Sequence, residues 1–168
     1  MTWPDTLRQS GATADGSRAG QRGEVSRRTR GEHDDLLAAM HQLEAALASP
    51  APGRAEAWAK RVGRDLRLMR EHLRSHVASA ETADGLCSEL KAARPEMTHR
   101  IEQLQTEHGH LLDSAAALAD SLHPTETAAA FAAVRQQAAE LLELIRAHHA
   151  KEVDLIYECF CTDIGVGD

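Results

Sequence analysis

The chain has 168 residues and a formal charge of −7, and 42% of its residues are hydrophobic although only 3% are aromatic. This length suits one domain, and a core of Leu, Ala, Val, Ile and Met favours helices over sheets. The acidic balance argues against nucleic acid as a partner, and no apolar run approaches the roughly 20 residues of a membrane span.

The first thirty residues differ from the rest of the chain. They carry six arginines and four glycines but almost no apolar periodicity. A segment with so little apolar surface cannot offset the entropy lost on ordering. We therefore predict a disordered basic tail over residues 1–30, which is either an idle extension or a segment that docks on an acidic partner. One domain is predicted over residues 31–168.

Four long helices and one short helical piece are predicted after this tail. The long helices span about 32–48, 54–82, 95–122 and 125–161, and the short piece "LCSELKAA" lies between the second and the third. Prolines and glycines mark most of their ends, because proline cannot continue a helix and glycine weakens one. Short connections between long helices indicate an all-α fold, an up-down-up-down four-helix bundle.

Each long helix carries one histidine on its own apolar stripe, read at steps of three and four residues. These are His33, His76, His108 and His148, and Glu152 follows on the stripe of the fourth helix. A single such histidine usually belongs to the core, but several unsatisfied imidazoles would each cost on the order of 1–3 kcal/mol. A metal offsets this cost. Imidazole with carboxylate suits non-haem iron and, to a lesser extent, zinc, copper or nickel.

The predicted heights of the histidines along the bundle do not agree. His33 and His108 lie 15 and 14 residues before the ends of their helices, whereas His76 and His148 lie about 22 and 23 residues after the starts of theirs. The difference of about eight residues corresponds to roughly 12 Å at 1.5 Å per residue. In an up-down-up-down bundle, the first and third helices end where the second and fourth begin. Either the second and fourth helices begin well beyond this end of the bundle, or they begin later than predicted.

Segments of all four helices resemble a bacterial hemerythrin-like (HHE cation-binding) domain over about residues 32–168. The resemblance rests on "EHDDLLAAMHQLEAAL", "HLRSHVASAETADGL", "RIEQLQTEHGHLLDSAAAL" and "LIRAHHAKEVDLIYE". It implies a four-helix bundle that holds non-haem iron, di-iron or mononuclear, and binds or senses dioxygen or another small diatomic ligand such as nitric oxide. Carried over onto this sequence, it implies as ligands His33, His76, His108, His148 and Glu152.

Two departures from the family pattern leave the ligand set open. Ala80 stands where the family has a glutamate, and the nearest carboxylate, Glu81, comes one position later. A shift of one position rotates a side chain by about 100° around a helix. Because Glu81 lies near the end of its helix, it is still predicted as a ligand that reaches inward. The third helix has no second histidine one turn from His108. A site for one iron, or a degenerate site without metal, therefore stays open beside a di-iron centre.

Other residues offer alternatives to this set. His72 would replace a missing ligand, and His149 with Asp154 forms a competing pair on the fourth helix. The remaining histidines are expected in solvent, and the cysteines of "CFC", Cys159 and Cys161, are expected to be buried rather than to form a redox-sensitive end. With Cys87 they make three cysteines, an odd number without a disulfide pattern, which favours a reducing cytoplasm.

The predicted function is iron-dependent binding or sensing of a diatomic gas, without an established enzymatic activity. A di-iron centre would also suit a peroxide- or oxygen-reactive activity. The alternative is a metal-free helical interaction module that kept the fold and lost the site, with a protein partner that the sequence does not identify. The composition predicts neither a nucleic-acid nor a membrane partner.

Overall fold

The computed structural model describes residues 9–49, 55–122 and 128–160. In these ranges the chain forms helices and no strand, which confirms the predicted all-α class. None of the helices described combines the length and the apolar character that crossing a bilayer requires. In chain order the elements are α1 (Gln9–Ala48), α2 (Ala55–Ala80), α3 (Leu86–Ala93), a 3-10 turn (Pro95–Met97), α4 (Thr98–Ser121) and α5 (Ala128–Phe160).

The observed bounds follow the prolines and glycines that the sequence analysis used. The short piece at 86–93 forms α3 as predicted, and α2, α4 and α5 begin or end within three residues of their predicted bounds. Pro95 begins a 3-10 turn rather than the α-helix itself. Proline fixes its own backbone φ and lacks the N–H group that a helix interior needs, so a tight first turn suits it.

The structure differs from the predicted tail, because α1 is already helical from Gln9 onward. Residues 1–8 of the predicted tail lie outside the described residues. Val25 and Thr29 are buried, and Val25 belongs to an apolar cluster with Leu86 and Leu90. These contacts anchor the middle of α1. A helix that is already nucleated extends at little further cost, so the helix continues where the sequence shows no apolar stripe.

The four long helices contact one another in a ring: α1 packs on α2, α2 on α4, α4 on α5, and α5 on α1. The short helix α3 touches all four of them. Two apolar clusters form the core. The large cluster includes Met40, Leu43, Leu73, Leu111 and Ile145, among others. The small cluster surrounds α3 and includes Val25, Ala80, Leu90, Leu104 and Leu155, among others.

A contact between α5 and the end of α1 explains the mismatch in predicted height for His148. The guanidinium of Arg135 donates hydrogen bonds to the carbonyl oxygens of Leu47, at 2.8 Å, and Ser49, at 3.2 Å. The end of α1 is therefore level with Arg135, seven residues after the start of α5 at Ala128. This is about 10 Å of helix at 1.5 Å per residue. The fourth long helix therefore begins well beyond the end of α1, which is the first of the two explanations for the mismatch.

Candidate metal centre

Five polar side chains meet in the interior, between the large and the small cluster. Along α2, His76 lies between Leu73 of the large cluster and Ala80 of the small one, and the other helices repeat this arrangement. The five side chains are all buried: His33, His76, His108, His148 and Glu152. They come from α1, α2, α4 and α5. The stripes predicted from the sequence therefore bring one histidine of each long helix to one layer.

The imidazole rings are close neighbours. The ring centres of His33 and His76 lie 5.0 Å apart, those of His76 and His108 5.4 Å, and those of His108 and His148 4.7 Å. Within the described part of the chain, their nitrogens and the Glu152 carboxylate form two groups of three possible metal ligands. One group is His76, His108 and His148, and the other is His33, His76 and Glu152. In each group the ligand atoms lie within 4.8 Å of one another.

Glu152 is the only fully buried carboxylate of these groups. Its Oε2 accepts a hydrogen bond from His33 Nε2 at 2.7 Å and lies 3.4 Å from His76 Nε2. Burial raises the pKa of this carboxyl group. The hydrogen bond from His33 and the nearby imidazoles lower the pKa by more than burial raises it. The net pKa of Glu152 lies below its ordinary value. The side chain is therefore a carboxylate at neutral pH, which is the form that binds metal ions.

Several atoms of the site have no hydrogen-bond partner among the described residues. They are both ring nitrogens of His76, Nε2 of His108, Nε2 of His148 and Oε1 of Glu152. A buried polar atom without a partner costs roughly 1–3 kcal/mol, so a set of five in one layer needs an explanation. These atoms are nitrogen and oxygen donors. A metal ion that accepts lone pairs from imidazole and carboxylate satisfies Glu152 Oε1 and one nitrogen of each ring. The second nitrogen of His76 carries the ring proton, and Glu32 Oε2 lies 3.8 Å from its Nδ1.

The protonation of the buried histidines also fits a metal. Burial lowers the pKa of His76 from 6.5 to about 4, with smaller opposing and supporting effects from Glu152 and the neighbouring imidazoles. Burial lowers the pKa of His148 as well, and the imidazole of His108 adds to this shift. Both side chains are therefore neutral at pH 7. A neutral imidazole keeps a lone pair free for a metal, whereas an imidazolium does not.

Two carboxylates hold the outer nitrogens of two of these histidines. Nδ1 of His108 donates to Glu81 Oε1 at 2.7 Å, and Nδ1 of His148 donates to Glu107 Oε2 at 3.2 Å. Lys151 Nζ in turn donates to Glu107 Oε1 at 2.6 Å. A carboxylate that accepts the Nδ1 proton fixes the tautomer and leaves Nε2 as the lone-pair donor. In both histidines Nε2 is the atom left without a partner.

The structure places Glu81 differently from the other predicted ligands. Its backbone N–H donates to Val77 O just beyond the end of α2, and its side chain is 36% exposed. It belongs to neither donor group and instead contacts the outer side of His108. A rotation of one helix position turns it away from the layer of histidines. Ala80, in the position the family gives to glutamate, is buried in the small cluster.

The alternative ligands also lie outside the two donor groups. His72 is half-buried, and Asp154 is exposed. The ring of His149 lies 4.2 Å from that of His33, edge to face, but neither group includes it. Three histidines expected in solvent are exposed, namely His41, His99 and His110, whereas His123 lies outside the described residues. Cys159 is buried, as expected, and Cys87 is buried too; both are free. Cys161 lies outside the described ranges.

Two further carboxylates lie near the site that were not predicted from the sequence. Glu107 supports His148, and Glu32 Oε2 lies 3.8 Å from His76 Nδ1. Each stands directly before a predicted ligand, in the pairs Glu32–His33 and Glu107–His108. A residue one position before an inward histidine lies about 100° away around the helix, facing a neighbouring helix. The repeated "EH" pair was the available signal.

The chain was also compared with known proteins. No model of a protein family matches it, and no significant match was found among curated proteins or solved structures. The geometry and chemistry of the two donor groups are therefore the basis for proposing a function.

Proposed function

We propose that the chain is a hemerythrin-like protein whose helices α1, α2, α4 and α5 form an up-down-up-down four-helix bundle around non-haem iron. The ring of helix contacts supports this topology. The observation that carries the proposal is the set of unsatisfied donor atoms at the centre, on His76, His108, His148 and Glu152. Burying them without a metal would cost several kcal/mol in sum, on the order of 1–3 kcal/mol for each.

The ligands would come from the two donor groups. His76, His108 and His148 would hold one iron, and His33 with Glu152 would hold a second iron beside it or complete a single site. The one lone pair of a neutral His76 would serve a single iron. Iron held by these residues would supply a redox-active centre for dioxygen or nitric oxide. Of the first-row metals, iron, zinc, copper and nickel all accept this ligand set, and the resemblance in sequence favours iron.

The chain's own residues would prepare this chemistry in two ways. The large and the small apolar clusters lie on either side of the histidine layer and exclude water from it. Glu152, buried and ionised, brings a negative charge that a cation compensates. A buried, unpaired charge is costly, so this carboxylate favours a cation in the layer.

We include a cytoplasmic location in this proposal. Cys87 and Cys159 are both free thiols, and reducing compartments keep thiols unpaired. Burial, with a smaller effect of the Glu152 and Glu81 charges, raises the pKa of Cys87 to about 12, so this thiol stays protonated and unreactive. Neither thiol takes part in the proposed chemistry.

The test is the absorption spectrum of the protein loaded with ferrous iron without oxygen and then exposed to air. The proposal predicts new charge-transfer bands of oxidised, protein-bound iron that appear on exposure and stay with the protein through gel filtration. A protein that keeps its helical circular dichroism but shows no such bands would contradict the proposal. That result would favour the metal-free interaction module.

A further inference from the structure

The two donor groups differ in how their nitrogens are held. In the group of His76, His108 and His148, two rings have a carboxylate on the outer nitrogen, from Glu81 and Glu107 respectively. Their inner nitrogens are without a partner among the described residues. This group therefore already presents free lone pairs before any cation arrives.

The other group begins from a different state. There His33 Nε2 donates its proton to Glu152 Oε2 at 2.7 Å, so one candidate ligand is hydrogen-bonded to another. A cation that binds through this nitrogen must first break the hydrogen bond and move the proton to the other ring nitrogen. The group that includes His33 and Glu152 therefore needs a rearrangement that the group of His76, His108 and His148 does not.

Lys151 supports the hydrogen bond between Glu107 and His148. Its ammonium donates to Glu107 Oε1 at 2.6 Å, while Oε2 of the same carboxylate accepts from His148. Both oxygens of Glu107 are therefore in use, and this carboxylate holds the His148 ring in one orientation.

We propose that Glu107, braced by Lys151, and Glu81 are positioning residues that make His76, His108 and His148 the first and tighter of two cation sites. Outer carboxylates of this kind raise the basicity of the imidazole and fix its orientation, and losing one costs roughly 10–100-fold in metal affinity. This inference rests on the proposed metal binding and specifies where in the layer a divalent cation binds first.

The test uses the full chain, labelled with ¹⁵N and titrated with Zn²⁺, which is diamagnetic and accepts the same ligands. Before zinc is added, the imidazole nitrogen shifts should report protons on Nδ1 of His108 and His148. The first equivalent should then shift Nε2 of His108 and His148 while the signals of His33 stay in place. Signals of His33 that move together with or before those of His148 would overturn the inference, as would protons on Nε2 at the start.

Affinity measurements by competition with a zinc chelator complete the test. Glu107→Gln and Glu81→Gln should each weaken the first equivalent by roughly 10–100-fold. The matched control is Glu102→Gln, also on α4 but exposed and paired with Lys91, which should bind zinc like the wild type. The circular dichroism melting curve of each metal-free variant shows whether a loss of affinity reflects unfolding.

The outcomes separate this inference from the proposed function. A wild type that binds no zinc or iron contradicts both. A wild type that binds tightly, with Glu107→Gln and Glu81→Gln as tight as Glu102→Gln, overturns the positioning role alone. The nitrogen shifts of the metal-free chain report on the tautomers of His108 and His148 even in a variant that binds weakly.

Discussion

Burial has the same consequence for several histidines of the site, because it removes the water that would stabilise their charged forms. The pKa of His76, His148 and His149 is lowered in each case, and burial is the largest cause in all three. His76 is affected strongly, since its ring is almost inaccessible and lies among three other imidazoles. In the folded, metal-free protein these imidazoles therefore stay neutral to a lower pH than they would in the unfolded chain.

The metal-free protein should therefore lose stability in mild acid. The pKa of His76 is 6.5 in the unfolded chain and about 4 in the folded one, so between these values the unfolded chain binds more protons. Its contribution is fully present above pH 6.5 and is lost as the pH falls towards 4, by up to about 3 kcal/mol. Urea unfolding of the chelator-treated chain should show a lower midpoint at pH 5 than at pH 7.

A variant at the same position distinguishes this cause from general acid unfolding. His76→Leu should reduce the difference between the two midpoints, because it removes the histidine with the large pKa shift and leaves His148 and His149. His110→Ala, at an exposed histidine of α4, should leave the difference as in the wild type. Equal midpoints of the metal-free wild type at pH 5 and pH 7 would contradict the assignment of a neutral, buried His76.

The inward histidines could be predicted from the sequence, whereas the sequence did not show which histidine each outer carboxylate supports. A stripe of apolar residues identifies which side chains of a helix point to the core, and this put His33, His76 and His148 inside. Glu107 and Glu81 serve histidines on another helix, so their role depends on which helices are neighbours and how they are rotated. A pattern within one helix contains neither quantity.

At the scale of elements, the turn between α2 and α3 holds the residues that bring Glu81 to His108. Gly85 N donates to Thr82 O, and Ser88 Oγ also donates to Thr82 O. A Cβ atom on Gly85 would lie 2.4 Å from the carbonyl oxygen of Ser79 and 2.6 Å from that of Ala80. Backbone atoms cannot yield as a flexible side chain does. The turn therefore requires glycine because of a close approach.

Gly85→Ala should consequently distort the end of α2. We expect a loss of roughly 1–3 kcal/mol in the free energy of unfolding, the usual range for forcing extra atoms into a packed site. Urea unfolding of the metal-free chain gives the value. The control is Gly109→Ala on α4, where a Cβ meets nothing within 4 Å and alanine is the better helix former. A stability of Gly85→Ala equal to that of Gly109→Ala would refute this account of the turn.

The ends of most helices were predictable, but the start of α1 was not. Pro95, Gly85 and the proline-rich stretch near residue 50 interrupt helices for local reasons that the sequence displays. The first turns of α1 have no such signal and no apolar stripe. They follow from contacts further along, where Val25 joins Leu86 and Leu90. Local composition underestimated a helix that distant residues stabilise.

At the scale of the whole molecule, the layer of buried histidines divides the core in two. The large cluster forms the part of the core that contains Trp58 and Phe131, whose ring centres lie 4.9 Å apart. The small cluster forms the part of the core around α3. Counting residues along each helix suggested that the histidines were about 12 Å out of level. The rings are nevertheless close neighbours, and for His148 the contact of Arg135 with Leu47 gives the reason, since α5 extends past the end of α1.

The iron content of the purified protein tests the central claim most directly. Wild-type chain, expressed with iron and passed through gel filtration, should hold at least about one iron for every two chains, and His110→Ala should hold the same amount. His148→Ala, which removes a ligand of the well-held group, should hold almost none while keeping its helical circular dichroism. Less iron than this in the wild type, or equal iron in His148→Ala and His110→Ala, would contradict a metal centre built on the buried histidines.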